Sequence, residues 1–242
     1  MKTVKIMLPL LAALMFGNGV VRAQNEAKHD KPAVEVVVFH GVKQCQTCQA
    51  IKKNSQEVAE ELAAEAFGAK HAFFMVNGTT SAVQAMVFAA VKEGEKIILP
   101  RNVHRSAINA LVVNGAIPVY VNPGVNKALG IPLGMSVKEV EKAIENNPDA
   151  KAVFVNNPTY YGICSDLRAI VKMAHDAGML CLADEAHGTH LYFGENLPVC
   201  AMDAGADMAS VSMHKSGGSL TQSSLLLTGK NVNWEYVSQV IN

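Results

Sequence analysis

The sequence predicts an α/β fold in which helices cover both faces of a mostly parallel β-sheet. One observation is that short, continuously apolar runs such as KIILP at 96–100 recur from residue 71 onward. A second is that segments with a helical spacing of apolar residues separate these runs. Strands that are apolar on both sides belong to parallel sheets buried between helices, and the alternation of strand with helix produces that arrangement.

The individual elements follow in a regular order. A helix is expected from near Gln49 to a stop at Gly68, and Ser136 with Glu139 three residues later is typical of a capping box. The other predicted helices span 79–94, 103–115, 136–147 and 165–178. The predicted strands span 72–77, 96–100, 117–123, 151–158, 180–186, 207–214 and 223–229.

The first 23 residues have the layout of a secretory signal peptide. Lys2 and Lys5 precede an apolar run at 6–16, and a small-residue cleavage pattern at 21–23 precedes Gln24. The alternative is an ordinary buried N-terminal helix. The signal predicts export, to the periplasm or outside the cell.

Residues 24–55 resemble the start of a thioredoxin-like fold. A β-branched run is followed by Cys45 and Cys48 in a CxxC spacing that opens a helical pattern. A thiol at a helix N-terminus is activated by the helix dipole, so a redox role is one hypothesis. Half of a zinc site and an inert pair are the alternatives, and the rest of a thioredoxin-like domain does not follow. The remaining three cysteines are expected to be buried reduced thiols: Cys164, Cys181 and Cys200.

Charge and hydropathy exclude two classes of partner. The 21 basic residues balance the 21 acidic ones, and no basic run is interleaved with aromatic residues, so nucleic-acid binding is not expected. After the N-terminal segment no apolar run is long enough to span a bilayer.

The residues that follow the predicted strands are the candidates for a binding site. Ligands of open α/β sheets bind outside the carboxyl ends of the strands. The sequence NGTTSA at 77–82 places Gly78, Thr79, Thr80 and Ser81 at a helix N-terminus, where free backbone N–H groups favour a phosphate. A plain helix cap is the alternative for these residues.

Two further strand ends carry charged side chains. Asp184 ends an apolar strand and would suit a protonated ring nitrogen, or else a structural ion pair. Lys215 follows another apolar strand and is a candidate for a desolvated amine that forms a Schiff base, or else a surface lysine. His187 and His190 could join Asp184 at a metal, but no other ligand completes such a site, so no metal is predicted.

Several ordered motifs give the region from about 56 to 242 a specific resemblance. They are AEAFGAKHAFFMVNGTTSA, RNVHRSAINAL, NPTYYGICSDL, LADEAHGTHLYF and SVSMHKSGGSLTQSS. This region resembles the major domain of the Orn/Lys/Arg decarboxylases, which are pyridoxal-phosphate enzymes of the aspartate-aminotransferase fold (fold type I). The resemblance implies a PLP-dependent transferase-like large domain that is incomplete at its C-terminal side.

The resemblance also implies roles for individual residues. Lys215 would form the Schiff base with pyridoxal phosphate, Asp184 would pair with the pyridine nitrogen, and His104 would stack on the ring. The phosphate would lie against Thr79, Thr80, Ser212 and His214. The full set of implied cofactor-binding residues is Gly78, Thr79, Thr80, Ser81, His104, Asp184, His187, Ser212, His214 and Lys215.

The implied activity is decarboxylation of arginine, lysine or ornithine to its amine, a precursor in polyamine biosynthesis. Family members are cytoplasmic and form homodimers or larger assemblies. This sequence lacks the family's PGH-like N-terminal segment and the remainder of its large and C-terminal domains, so an incomplete active site is expected. The alternatives are an aminotransferase or carbon–sulfur lyase on the same fold, an exported redox module, and a non-functional fusion fragment.

Overall fold

The structure is a computed structural model and describes residues 46–220 and 222–241. The helices are α1 (Gln46–Ala66), α2 (Thr79–Ala90), α3 (Arg105–Asn114), α4 (Val137–Asn146), α5 (Leu167–Asp176), α6 (Ala201–Ala204), α7 (Met213–Ser216) and α8 (Trp234–Ile241), with a 3₁₀ turn at Thr189–Tyr192. The strands are β1 (His71–Phe74), β2 (Lys96–Pro100), β3 (Ile117–Val121), β4 (Val125–Asn126), β5 (Ile131–Pro132), β6 (Ala152–Asn156), β7 (Leu180–Glu185), β8 (Met208–Ser212) and β9 (Ser224–Thr228).

Seven of the strands form one sheet in the order β1-β9-β8-β7-β6-β2-β3, and β4 pairs with β5 in a separate hairpin. The five strands from β8 to β3 run parallel, whereas β9 is antiparallel to both of its neighbours. The prediction of an α/β fold with a mostly parallel sheet is therefore confirmed. Two apolar clusters pack on the sheet, one around Ile98, Val153 and Ala183 and the other around Ile97, Phe154 and Leu182. Because neighbouring residues of one strand fall into different clusters, both faces of the sheet are buried, as the continuously apolar strands predicted.

Local chemistry sets the ends of several helices where the sequence predicted them. The Oγ of Ser136 accepts a hydrogen bond of 3.2 Å from the backbone N–H of Glu139, which caps α4. Gly115 ends α3 in the left-handed region with φ of 72°, a conformation that glycine adopts without steric cost. Helix α1 runs without a break to Ala66, as its apolar spacing predicted. Cys45 lies outside the described residues, as do the side chain of Cys48 and the expected signal peptide.

The strand predicted at 72–77 ends earlier, because β1 spans His71–Phe74. Apart from such shifts at element ends, the observed elements differ from the predicted ones in two respects. The strand predicted at 207–214 ends at Ser212, and the next four residues form helix α7, which carries Lys215. The β4–β5 hairpin, the 3₁₀ turn and α6 were not predicted, because elements of two to four residues carry no periodic signal. Helix α8 was not predicted either; it lies beyond the last predicted strand. In the described part of the chain, no helix combines the length and the apolar character needed to cross a bilayer.

Candidate active site

A cavity of about 610 Å³ lies at the carboxyl ends of the parallel strands. The chain proceeds from β2 outward to β3 and then returns to place β6 on the other side of β2, so the strand order reverses there. Such a reversal leaves a crevice between the connections that leave the two central strands. The cavity is lined by Asn77, Gly78, Thr79, Thr80, Asn102, Val103, His104, Arg105, Ser106, Asn156, Pro158, Thr159, Tyr160, Asp184, Ala186, His187, Ser212, His214, Lys215 and Gln222.

The carboxylate of Asp184 lies at the end of β7, where only 7% of the residue is exposed. Its Oδ1 accepts hydrogen bonds from the backbone N–H of Ala186 at 3.1 Å and from the Ser210 Oγ at 3.2 Å. No donor within residues 46–220 and 222–241 contacts its Oδ2. Burial raises the pKa of Asp184, against the opposing effects of these two hydrogen bonds and of the positive charges of Lys215 and His104. The side chain can therefore accept a donor from a ligand in the cavity.

Lys215 lies in the short helix α7, directly after β8, and it lines the same cavity. Its Nζ lies 3.3 Å from the Nε2 of His187. Of the two alternatives for Lys215, the structure agrees with the surface lysine and not with the desolvated amine: the chain turns into α7 after Ser212, and Lys215 is exposed while it lines the cavity. An amine in this position is accessible to a ligand that enters from solvent.

His104 lies directly before α3, far from Lys215 in the sequence, but it lines the same cavity. Its Nδ1 accepts a 3.2 Å hydrogen bond from the backbone N–H of Ser106, so the imidazole also caps the helix. The residue is exposed, and it lines the cavity. The side chain is thus held at one nitrogen while the rest of the ring borders the cavity, which suits a stacking role.

The N-terminus of α2 forms a polar cradle at one end of the cavity. Gly78 precedes the helix with φ of 72°, and no side chain caps it. The hydroxyl groups of Thr79 and Ser212 are hydrogen-bonded to each other, and the Nδ1 of His214 lies 3.0 Å from the carbonyl oxygen of Ser223. The first backbone N–H groups of a helix have no intrahelical acceptor, so this cradle offers donors to an anion.

Two of the sequence candidates lie apart from this cluster. Ser81 belongs to α2 but lines a different cavity, between α1 and α8, because one further residue along the helix turns its side chain to another side. His190 is exposed on the 3₁₀ turn. Within the described residues no three His, Cys, Asp or Glu side chains are placed to hold a metal ion. Cys181 and Cys200 are buried free thiols as expected, whereas Cys164 is only partly buried.

Sequence reasoning missed several residues of the site. Ser210, Arg105, Ser106 and Gln222 were not among the candidates, although three of them line the cavity and Ser210 binds the Asp184 carboxylate. Ser210 lies directly opposite Asp184 in the pairing of β8 with β7. Only the strand register reveals that contact, and the register cannot be read from one sequence.

A second buried carboxylate supports the loop behind the site. Glu185 is fully buried and accepts hydrogen bonds from Asn157 Nδ2 and from the backbone N–H of Ala201, both at 2.9 Å, and from the Tyr192 hydroxyl. Burial raises its pKa to about 7, although these three donors oppose the shift. Asn157 begins the loop that contributes Pro158 and Tyr160 to the cavity, so Glu185 anchors that wall.

Comparison with known proteins identifies the class to which this fold and site belong. Residues 50–242 match the family model of the Orn/Lys/Arg decarboxylase major domain. The chain therefore belongs to the Orn/Lys/Arg decarboxylase family, whose members are pyridoxal-phosphate enzymes.

Individual relatives agree with this membership. An arginine decarboxylase of Halalkalibacterium halodurans is 54% identical over 168 residues, which are 69% of this chain and 34% of that protein. An arginine decarboxylase of Bacillus subtilis is 51% identical over an alignment of the same length and coverage. The solved lysine decarboxylase A of Pseudomonas aeruginosa superposes with a TM-score of 0.73 at 21% identity, over 98% of this chain and 37% of that one. The chain thus spans about a third of the length of the curated relatives it matches.

Proposed function

We propose that this chain binds pyridoxal phosphate and takes part in the decarboxylation of a basic amino acid, with arginine as the first candidate. The observation that carries the proposal is the convergence of Lys215, Asp184 and the cradle at α2 on one cavity at the strand ends. The names of the relatives favour arginine, since two that are more than half identical to this chain are arginine decarboxylases.

The residues present fit the cofactor at each of its polar groups. The free Oδ2 of the buried Asp184 suits the ring nitrogen, whose proton it would hold in place by a charge-assisted hydrogen bond. The N-terminal amides of α2, with Thr79 and His214 beside them, suit the phosphate. Lys215 presents a primary amine to the open side of the cavity, where it can reach an aldehyde carbon.

Each side chain then has a defined task in the proposed reaction. Pyridoxal phosphate, when bound, supplies an electron sink for the pair released as the Cα–carboxylate bond breaks. Asp184 keeps the ring nitrogen protonated, and the exposed imidazole of His104 limits where the ring can lie. Lys215 would hold the cofactor through its primary amine at the open side of the cavity.

Cofactor binding is tested by visible absorbance of the purified chain with pyridoxal phosphate. We expect a saturable band in the wild type that Lys215→Ala abolishes. Lys230→Ala is the matched control, because Lys230 is an exposed lysine outside the cavity-lining set. A band that survives Lys215→Ala, or that is lost equally in both variants, would contradict the proposal.

The substrate is tested separately by release of carbon dioxide and amine from arginine, lysine and ornithine. Turnover of arginine above the other two is the expected result. Formation of a keto acid in place of carbon dioxide would contradict decarboxylation and indicate an aminotransferase reaction.

We further propose that the chain works as a homodimer or larger homo-oligomer. Tyr160 lines the cavity and Tyr161 follows it; 78% and 50% of their surfaces are exposed, and their rings meet edge to face. Exposed aromatic pairs of this kind are common at protein interfaces. Analytical ultracentrifugation would show a dimer, and a monomer at every concentration tested would contradict this proposal.

For the N-terminal part we propose a signal peptide at 1–23, a thioredoxin-like segment at 24–55 and the decarboxylase domain from 56. The family match supports only the third part, since it begins at residue 50. N-terminal sequencing of the chain isolated from its host is expected to start at Gln24. An uncleaved chain found in the cytoplasm would overturn the first assignment.

A further inference from the structure

The contact between His187 and Lys215 joins an imidazole and an amine at hydrogen-bonding distance inside the cavity. The Nζ of Lys215 and the Nε2 of His187 are 3.3 Å apart. His187 follows β7 and Lys215 lies in α7, so two separate elements bring the two groups together. Before Lys215 can attack an aldehyde carbon, its ammonium group must lose a proton, because only the free amine has a lone pair.

We propose that His187 is the proton acceptor and donor for Lys215, a role that rests on the proposed function of Lys215 as the nucleophile. In the tautomer with its proton on Nδ1, the imidazole presents the Nε2 lone pair to Lys215. The N–H bond of the ammonium breaks, its electron pair stays on Nζ, and the proton bonds to Nε2. The reverse transfer restores the ammonium when the lysine is released, so no other reactant is consumed.

The surroundings of His187 keep the imidazole unprotonated, so that the lone pair of Nε2 is available to Lys215. Burial lowers the pKa of His187 below its usual 6.5, and the positive charges of Lys215 and His104 lower it further, whereas Asp184 opposes them. At neutral pH the ring is therefore uncharged. Proton transfer from Lys215 creates an imidazolium ion close to the Asp184 carboxylate, which stabilises that charge.

A ring contact borders the imidazole on a second side. The Tyr160 ring stands edge to face against the imidazole, with centroids 5.4 Å apart and an interplanar angle of 83°. Tyr160 belongs to the loop after β6, so His187 is held between that loop and α7. An imidazole that is partly buried and contacted on two sides does not need to reorient before it accepts the proton.

The first test measures cofactor capture, defined as the rate at which the absorbance band of bound pyridoxal phosphate forms. Stopped-flow absorbance monitors this rate across a range of pH. His187→Gln keeps a hydrogen-bond acceptor of similar reach but cannot take up a proton. We expect capture to be about 100-fold slower in this variant, which is the usual contribution of a positioned general base, and to be partly restored by added imidazole. His190→Gln is the matched control, since His190 is an exposed histidine three residues away, and it should behave as the wild type.

The pH profile distinguishes proton transfer from a packing role. The wild-type rate is expected to fall as the pH drops through the pKa of His187, because the protonated ring cannot accept, and His187→Gln should lack that step. A variant with wild-type rate and profile would overturn the inference. So would slow capture that imidazole does not restore and that accompanies weaker equilibrium binding, since that pattern belongs to a structural residue.

A second test works without cofactor and separates this inference from the proposed function. Trace acetylation of the cofactor-free protein, read by peptide mass spectrometry, reports the reactivity of Lys215 with Lys230 as internal standard. We expect His187→Gln to reduce the labelling of Lys215 relative to Lys230. If labelling of Lys215 is reduced but neither the wild type nor any variant binds pyridoxal phosphate, the proposed function is contradicted, whereas proton exchange between His187 and Lys215 remains supported. Equal labelling in wild type and variant would overturn the exchange even where the cofactor binds.

Discussion

Asp184 shows how burial and hydrogen bonding prepare a single carboxylate for one ligand atom. Oδ1 is occupied by two donors from the protein, and Oδ2 has none in the described part of the chain. A carboxylate this buried has lost its hydration, so a charged donor from a ligand restores a strong interaction. The fold thereby leaves a buried acceptor in the cavity for a charged donor of a ligand.

Replacement of this carboxylate should weaken cofactor binding without unfolding the protein. Asp184→Asn keeps the size of the side chain but loses the charge, and a hydrogen bond to a charged group contributes about 1.5–3 kcal/mol. We expect the Kd for pyridoxal phosphate to rise about 10- to 100-fold, measured by absorbance titration. Circular dichroism of the variant should match the wild type. An unchanged Kd would show that Asp184 does not contact the ring.

Glu185, the next residue, should make stability depend on pH. Its pKa in the folded protein is about 7, above the value of 4.5 for a free side chain, because burial disfavours the charged form. The folded protein therefore holds a proton that the unfolded chain releases, and the free energy of unfolding falls as the pH rises from about 4.5 to 7.

The expected loss over that pH range is on the order of 3 kcal/mol. Glu185→Gln imitates the protonated form, so urea unfolding at pH 5 and pH 7.5 should show a smaller difference than in the wild type. Glu145→Gln changes an exposed glutamate and serves as the control. Identical pH dependence in wild type and Glu185→Gln would contradict the pKa assignment.

The sequence identified the residues with the most specific chemistry and missed their supports. Asp184 and Lys215 were candidates because they lie at or just after the ends of predicted strands, and His104 was a candidate because of the family resemblance. All three line the cavity. Their hydrogen-bond partners Ser210 and Ser106 are small polar residues that occur throughout the chain. The sequence left open whether Lys215 is buried or exposed, since an apolar run gives no sign that the chain turns into a helix at Met213, two residues before the lysine.

At the scale of elements, the short helix α7 decides where Lys215 lies. A Cβ placed on Gly217, directly after this helix, would approach the Cα and carbonyl oxygen of Met213 to 2.8 Å. Real side chains do not tolerate that distance to backbone atoms, so the helix would have to move. A close backbone contact that requires glycine at position 217 therefore positions α7 and, with it, Lys215.

Gly217→Ala should displace α7 and impair cofactor capture. We expect a stability loss of about 1–3 kcal/mol, typical of overpacking, together with a weaker absorbance band. Gly124→Ala is a suitable control, because its nearest neighbour is the flexible side chain of Leu133 at 3.3 Å. Equal stability and equal band intensity in both variants would mean that the loop accommodates the methyl group.

The predicted elements agree with the structure where they are long and periodic. The helices α3 to α5 and the strands β2, β3 and β6 lie within their predicted ranges. The hairpin of β4 with β5 and the helices α6 and α7 span two to four residues each, so no periodicity could mark them. Length, more than propensity, separated what could be predicted from what could not.

At the scale of the whole molecule, the site exists only when the sheet is assembled. Its lining residues come from chain segments between 77 and 222 that meet at one edge. The sequence predicted a mostly parallel sheet with a site at the carboxyl ends of its strands. It did not predict the strand order or the antiparallel pairing of β9 with β1 and β8. Those features depend on tertiary packing of strands that are similar in composition.

Because the site is formed by the whole fold, cofactor binding should stabilise the whole fold. A ligand present at 100 times its Kd adds about 2.7 kcal/mol to the free energy of unfolding. For a chain of this size that corresponds to an increase in Tm of roughly 5–10 °C, measurable by differential scanning fluorimetry. Lys215→Ala should show a much smaller increase. A wild-type Tm that pyridoxal phosphate leaves unchanged would contradict binding to the folded state.

The central claim is that this cavity holds pyridoxal phosphate on one particular lysine. Its most direct test is borohydride reduction of the chain after incubation with the cofactor, followed by peptide mapping of the reduced adduct. We expect a single stoichiometric adduct on Lys215 that is absent from Lys215→Ala. An adduct spread over surface lysines, or concentrated on any other lysine, would contradict it.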